Sequence, residues 1–390
     1  MKRRLFIRYL VGIAATFGVT LAGRFAHGSS ASEPTIAKPG ATPGFLSSKS
    51  NVRADGKPLI KVIGIGGAGA SAVDHMIRDR LSGVEFVCVD TDAATLQGSS
   101  ADTKLQLILG LEAGSQSGQT VRDMALTARA QITDVVRGAD LVFIIAGMGG
   151  STGTGVAMTV AEVARELGIL TVALVTKPLA SEEQRLALAE NGIAELDKHA
   201  DTMIVIDNAD IMYAMEDWGE PVTSAEAFET SDWSLSSWVS TIANTINVPA
   251  LVGVDFADVC AVLNEPGMAI EARTGRHVAW SEEDDEDDWD DRLPTARYCA
   301  EAAIPWSKFG GSRLSEAKAI LVTVTGDTSL NLEEVSEVIT YIRSHAAPDV
   351  KLVVGTIQSH DEGMRDCFTV SLIAKGFDNA MGSGSCQKTT

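Results

Sequence analysis

Residues 141–155 read LVFIIAGMGGSTGTG. Six apolar residues in a row, Leu141 to Ala146, suit a strand buried on both faces of a parallel sheet. The nine that follow, Gly147 to Gly155, hold five glycines and two threonines and lead into a helical pattern. A strand that runs through glycines into a helix aims backbone N–H groups, hydroxyls and a positive dipole end at one point. That is a phosphate cradle. A merely flexible turn fits poorly between a buried strand and a helix.

A second unit of this kind lies upstream. The strand-like Leu59–Ile65 runs into Gly64-Ile65-Gly66-Gly67-Ala68-Gly69-Ala70-Ser71, which satisfies GxGxxG through Gly64, Gly66 and Gly69. Asp90 ends the next apolar run about twenty residues on, as in a dinucleotide site where a carboxylate takes a ribose hydroxyl. An NAD-dependent oxidoreductase is therefore a rival reading. A dinucleotide fold needs one such loop, whereas a triphosphate gripped from two strand ends uses both, and this chain has both.

Working outward, short apolar runs alternate with helical patterns. Glu85–Asp90, Leu105–Leu109, Leu170–Val175 and Met203–Ile206 are further strands; residues 71–80, 120–136, 156–167 and 182–199 are helices. The alternation predicts a doubly wound α/β domain with its ligand at the carboxyl ends of the strands. A helix over about Ala225 to Asn247 follows. Then comes a smaller α+β region: strand Ala319–Thr325, helix Leu332–His345, and strands Lys351–Gln358 and Cys367–Ala374. The expected divisions are 1–31, 32–57 as linker, 58–224 as nucleotide domain, 225–254 as central helix and loop, 255–378 as C-terminal domain, and 379–390 as tail. The run EEDDEDDWDD, residues 282–291, reads as a solvated acidic insertion, since it lacks the spaced ligands of a calcium loop.

This order of segments resembles the tubulin/FtsZ superfamily. GMGGSTGTG is similar to the family signature GGGTGTG, with Ser151 in place of one glycine. IKVIGIGGAGASAVDHMI, VEFVCVDTDA, LTVALVTKP and GVDFADV also stand in the family's order, across about Ile60 to Asp378. The resemblance implies a GTPase with GTP or GDP as ligand, Mg2+ as a candidate companion, and no protein metal site. Gly66, Gly67, Ala68, Gly69, Ala70 and Ser71 would cup the phosphates from one side. Gly149, Gly150, Ser151, Thr152, Gly153, Thr154 and Gly155 would cup the γ-phosphate region. Asp90 and Asp92 fall on the second-strand loop, and Ala113, Gly114 and Ser115 on a loop that senses the γ-phosphate.

The same resemblance places Glu182 and Arg185 near the ribose, Asn208 facing the guanine, Phe228 stacking on it and Asp232 reading its N–H donors. Glu182 and Arg185 also read simply as a surface i, i+3 pair. Asp255 and Asp258 match two aspartates of the Asn-x-Asp-x-x-Asp loop that completes the GTP site of the next subunit; Gly253 stands where the asparagine would be. The implied partner is another copy, head to tail. The missing asparagine supports a second hypothesis, a GTP-binding structural or regulatory protein with little hydrolysis.

At 390 residues the chain is long enough for two domains, and its formal charge of −20 argues against nucleic acid as a partner. The five scattered cysteines form no CxxC pair, so neither a zinc site nor a disulfide framework is expected. Ahead of the first strand, Lys2, Arg3, Arg4 and Arg8 precede an apolar stretch from Tyr9 to Gly23. Residues 1–31 thus read as a membrane-anchor or signal-like segment. With GTP confined to the cytoplasm, the expectation is a cytoplasmic protein attached to the inner face of the plasma membrane. Export by a signal peptide, with its twin-arginine-like Arg3-Arg4, is the alternative.

Overall fold

The computed structural model describes residues 56–107, 118–216, 222–248, 250–265, 268–273, 277–278, 295–304, 313–359 and 367–377. The expectations for residues 1–31, for the acidic run 282–291 and for Ala113, Gly114 and Ser115 lie outside the described residues.

Six strands form the first sheet: β1 (Ile60–Ile65), β2 (Val84–Asp90), β3 (Thr103–Gln106), β4 (Leu141–Gly147), β5 (Leu170–Lys177) and β6 (Thr202–Asp207). Their order is β3-β2-β1-β4-β5-β6, with every neighbouring pair parallel. The winding direction reverses between β1 and β4, which opens a crevice at their carboxyl ends. Both faces of the sheet are covered. Ile60, Val62, Phe143 and Ile145 point into one core, and Ile63, Ile65, Val142 and Ile144 into another. That is why the strands read as continuous apolar runs.

Helix α1 (Gly66–Arg78) lies on the first face, with the short α2 (Ala93–Gly98) beside β2. On the opposite face lie α3 (Gly118–Thr127), α4 (Arg129–Val136), α5 (Ser151–Glu166) and α6 (Glu183–Leu196). The helix expected over 120–136 is thus two helices. The Thr127 and Thr133 hydroxyls donate back to the Asp123 and Arg129 carbonyls, a bond that bends a helix, and Ala128 between them leaves helical geometry at ψ 11°.

After β6 come α7 (Asn208–Glu216) and the 24-residue α8 (Ser224–Asn247). A capping box starts α8, with Thr223 and Glu226 bonding each other's backbone N–H. At ~1.5 Å per residue α8 is ~36 Å long, enough to run the full height of the sheet. Its first half lies beside α1. Its end, Asn247, donates to the Gly83 carbonyl just before β2.

The second sheet contains β7 (Met268–Arg273), β8 (His277–Val278), β9 (Ala319–Gly326), β10 (Lys351–Gln358) and β11 (Cys367–Phe377). Its order is β10-β9-β11-β7, with β8 on β11; β9 and β10 are parallel and the rest antiparallel. One face packs on α8 and on α9 (Phe256–Leu263), so that Leu321, Val353 and Ile373 share a core with Leu235, Trp238 and Ile242. The other face is covered by α10 (Thr295–Ala302) and α11 (Leu332–His345). One apolar core therefore runs from the first sheet through α8 into the second. Each fully buried large side chain in it contributes ~1.5–3 kcal/mol.

Candidate nucleotide site

The two glycine segments meet at the crevice between β1 and β4. Helix α1 begins at Gly66 itself, five residues earlier than its apolar pattern suggests. Helix α5 begins at Ser151. Their cap positions, Ile65 and Gly150, make no side-chain cap bond, so both helices open with N–H groups free to meet an anion. A Cβ placed on Gly66, whose φ is +72°, would lie 3.3 Å from Gly153 N and 3.4 Å from Thr152 Cβ. A Cβ on Gly153 would fall 2.2 Å from the Gly147 carbonyl oxygen, and one on Gly69 2.5 Å from that of Ile145. These glycines bring two backbones together. Gly67 is different: nothing lies within 4 Å of its Cβ position, and it is exposed at the mouth of the cradle.

Hydroxyls tie the cradle to its surroundings. Thr91 Oγ1 and Thr152 Oγ1 are 3.2 Å apart, which links the ends of β2 and β4. Gly149 N–H donates to Thr154 Oγ1 at 2.9 Å, which pins the turn before α5. Ser151 and Thr152 sit in its first turn, Thr154 and Gly155 just behind. Asp90 is buried, and its Oδ1 accepts from the N–H groups of Thr91 (2.6 Å) and Asp92 (3.2 Å). Asp92 caps α2, accepting from Ala94 N, Thr95 N and the Thr95 hydroxyl; those bonds hold its carboxyl below the usual range. Both carboxylates shape the β2 loop. Thr91 was missed by sequence reasoning, although its place directly after a strand's carboxyl end was a usable signal.

Beside the cradle, Ser71 Oγ donates to Asp232 Oδ2 of α8 at 2.5 Å. Burial pushes the Asp232 carboxyl up to about 6, against the opposing pull of Ser71 and Arg78. Phe228, one helical turn earlier, leaves 43% of its surface exposed. Asn208 is buried at the start of α7, where its Oδ1 accepts from Ser231 Oγ at 2.5 Å. Next to it, Lys177 and Asp207 form a buried ion pair at 3.2 Å across the ends of β5 and β6.

The aspartates of the hydrolysis loop lie elsewhere. Asp255 precedes α9 at its cap position without a side-chain cap bond, and Asp258 sits in the first turn, 3.6 Å from Lys351 Nζ. Both are exposed. Helix α9 ends against β6, where the Thr202 hydroxyl donates to the Leu263 carbonyl at 2.8 Å. Thr202 starts its strand; the cradle follows the ends of β1 and β4. The sheet's height separates the two groups: β4 alone has seven residues, ~23 Å at ~3.3 Å each.

Residues 59–216 match the model of the Tubulin/FtsZ family, GTPase domain, and residues 291–378 that of the FtsZ family, C-terminal domain. The cell division protein FtsZ of Coxiella burnetii is 38% identical over 331 residues, covering 84% of this chain and 81% of its own. That of Pseudomonas aeruginosa is 39% identical over 322 residues, covering 82% and 77%. The chain belongs to the tubulin/FtsZ family. It carries the family's GTPase domain and is a GTP-binding, GTP-hydrolysing protein. Among solved structures, an empty FtsZ dimer from M. jannaschii superposes with a TM-score of 0.69 at 30% identity, covering 83% of this chain and 89% of that one. CetZ2 from Haloferax volcanii, a GTPγS-bound protofilament, shares the fold at a TM-score of 0.61 and 17% identity, covering 82% and 94%.

Within the tubulin/FtsZ fold, Glu182 and Arg185 form a direct i, i+3 ion pair at the start of α6, and Glu182 Oε2 also accepts from Leu179 N at 3.2 Å. The Arg185 backbone carbonyl lies 2.4 Å from where a Cβ on Gly149 would stand, so this turn presses against the cradle's rim. Direct contacts thus join these positions in groups: Gly66 lies against Thr152 and Gly153, Gly149 against the Arg185 carbonyl, and Ser71 bonds Asp232. When bound, Mg2+ would supply charge compensation to the phosphates, and the Thr91 and Thr152 hydroxyls are the side-chain oxygens the cradle offers to hold it. Such hydroxyl oxygens are hard donors that suit Mg2+, and among the described residues no group of three or more His, Cys, Asp or Glu could hold a metal ion by itself.

Proposed function

We propose that GTP binds with its phosphates between the amino ends of α1 and α5, and that a second copy of the chain, docked head to tail, completes hydrolysis. In this reading the free N–H groups of Gly66 to Ala68 and of Ser151 to Gly153 receive the phosphates. Phe228 and Asp232 take the base, while Glu182 and Arg185 flank the ribose. Asp255 and Asp258 orient and deprotonate the attacking water as general bases.

The observation that carries this reading is the separation of cradle and aspartates by the height of the sheet. Exposed carboxylates ~20 Å from the phosphates cannot serve their own site. They can serve a neighbour's when one copy's lower face stacks on another's upper face, a heterologous contact that extends into a filament. Phosphate release per chain should therefore rise steeply with protein concentration before levelling off. A rate per chain independent of concentration would defeat the intersubunit site.

The reading extends to a membrane-associated cytoskeletal role on the cytoplasmic side. The basic, apolar segment of residues 1–23 would lie in the inner leaflet, where burial and charge act together. Deleting residues 1–31 should shift the protein from the membrane to the soluble fraction with GTP binding intact. Recovery of a processed protein from the periplasm would contradict it. A GTP-binding protein with little turnover is the second reading, and Gly253, which offers no amide side chain beside Asp255, favours it.

A further inference from the structure

We propose that Ser71 is a positioning residue for base selection: its hydroxyl, presented from the phosphate-binding helix, holds the Asp232 carboxylate oriented to accept the ring N–H and exocyclic amine of guanine. This rests on the reading above that a guanine nucleotide fills the crevice, and it departs from the sequence expectation that Ser71 cups phosphate. A serine has one O–H to donate. Here that proton goes to Asp232 Oδ2 at 2.5 Å, across 161 residues of sequence, and cannot be given to a phosphate at the same time.

The placement suits the role. Ser71 is the sixth residue of α1, ~7 Å along the helix from the N–H groups of its first turn. A nucleoside leading away from phosphates at that turn comes next to Ser71 and meets α8. There Phe228 and Asp232, at i and i+4, stand on one face, an exposed ring beside a half-buried carboxylate. Guanine presents two N–H donors on the edge where adenine presents a ring nitrogen acceptor. A fixed carboxylate accepts from the first and repels the second. Bonds to a charged acceptor of this kind are worth a discrimination of ten- to a hundredfold, about.

The same contact makes the selection depend on pH. Burial raises the Asp232 carboxyl to about 6, and Ser71 and Arg78 of α1 act to lower it, while Glu229 of α8 acts to raise it. From α7, the other helix packed here, it is Asn208 that faces this stretch, bonded to Ser231. Below pH about 6 the carboxyl is protonated and its acceptor role toward guanine is lost; above it the preference is full.

The test is the affinity of the full chain for GTP and for ATP between pH 5 and 8. Wild type should lose its GTP-over-ATP preference as pH falls through about 6. Ser71→Ala should cut the preference about threefold near pH 6.5 and move its midpoint up by about one pH unit, with ATP affinity unchanged. Ser71→Thr, which keeps the hydroxyl, should restore the wild-type profile. Equal weakening of GTP and ATP by Ser71→Ala with an unmoved pH profile would make Ser71 a phosphate contact and overturn the proposal. An unchanged preference would overturn it too. Failure of wild type to bind either nucleotide would instead remove the site reading on which it stands.

Discussion

At the carboxyl end of the parallel sheet the chain works by leaving side chains out, whereas at the amino end it works by reaching them across two domains. Gly66, Gly69 and Gly153 let two backbones approach so closely that a single added carbon would strike a neighbouring loop. What remains exposed is backbone N–H, a fixed donor set suited to an anion. At the amino end the Asp140 carboxylate accepts from Leu59 N, Thr202 bonds Leu263 of α9, and Lys375 of β11 reaches the Asp201 carbonyl. The last two tie the end of α9, the helix that begins beside Asp255 and Asp258, and the second sheet to the start of β6. One end is shaped to receive charge, and the other presents carboxylates outward. In the head-to-tail stack proposed above, these are the two ends that would meet.

The strongest way to break the comparison is to put a side chain into the carboxyl end where it does no structural harm. Gly153→Val would drive carbon into the Gly147 carbonyl and disturb the loop itself. Gly67→Asp meets nothing within 4 Å and puts a carboxylate in the first turn of α1, where the dipole favours it by ~0.3–1 kcal/mol. The free variant should melt no lower than wild type. GTP at a hundred times its Kd stabilises the wild type by about 2.7 kcal/mol, and in the variant that gain should vanish, as thermal shift would read. An undiminished shift would mean that the phosphates lie elsewhere.

The amino end is tested by Asp258→Ala. The side chain is exposed and pairs only loosely with Lys351, so stability and GTP binding should hold while turnover drops by about 10²- to 10⁴-fold. Mixing Asp258→Ala with Gly67→Asp sharpens the comparison. The first binds GTP without supplying Asp258; the second supplies Asp258 without binding. Phosphate release should return in the mixture although each variant alone is inactive, and a silent mixture would place both functions within one chain.

Gly253→Asn is a gentler change at that same end. Open space surrounds the Gly253 Cβ position, so an amide can be added without strain. Turnover at fixed protein concentration should rise a few-fold. A fall would argue that the glycine itself is what this loop requires.

Much of this architecture was legible in the sequence, for identifiable reasons. A glycine run wedged between a continuous apolar run and a helix implies a tight strand-to-helix turn, and Gly147–Gly155 does join β4 directly to α5. Helix α11 was legible to the residue because Asn331 and Glu334 announce its start and Ala346 leaves it. The start of α1 at Gly66 was not, because glycines are poor helix formers and only packing against Ile145 and Gly153 forces them into the turn. Nor was the break at Ala128, which depends on where two threonine hydroxyls point. Least legible were the contacts between distant segments. Ser71 with Asp232, and Lys375 with Asp201, are separated by 161 and 174 residues, and no local pattern pairs them.

Lys375 gives the smallest expected effect, and the one that bears most directly on how the amino end is held. Its side chain is 2% exposed, and Nζ donates to the Asp201 carbonyl at 2.7 Å, from the second sheet to the residue preceding β6. Burial lowers its pKa to about 8, although Asp197, Asp201 and Glu265 nearby favour the charge. In the unfolded chain the amine titrates near 10.5. Below pH 8 both states hold the proton and the buried ammonium carries its full desolvation cost. Between pH 8 and 10.5 the unfolded state keeps a proton that the folded state has shed, so stability rises with pH on this account. Lys375→Met keeps the length and apolar stem but has nothing to titrate. Its thermal unfolding should lack that rise, so that the wild type gains on it by about 1–3 kcal/mol, a few degrees, between pH 8 and 10. Parallel pH profiles for the two proteins would show that Lys375 stays charged in the fold. The clamp on the amino end would then be an ion cluster with Asp197, Asp201 and Glu265 rather than a hydrogen bond from a neutral amine.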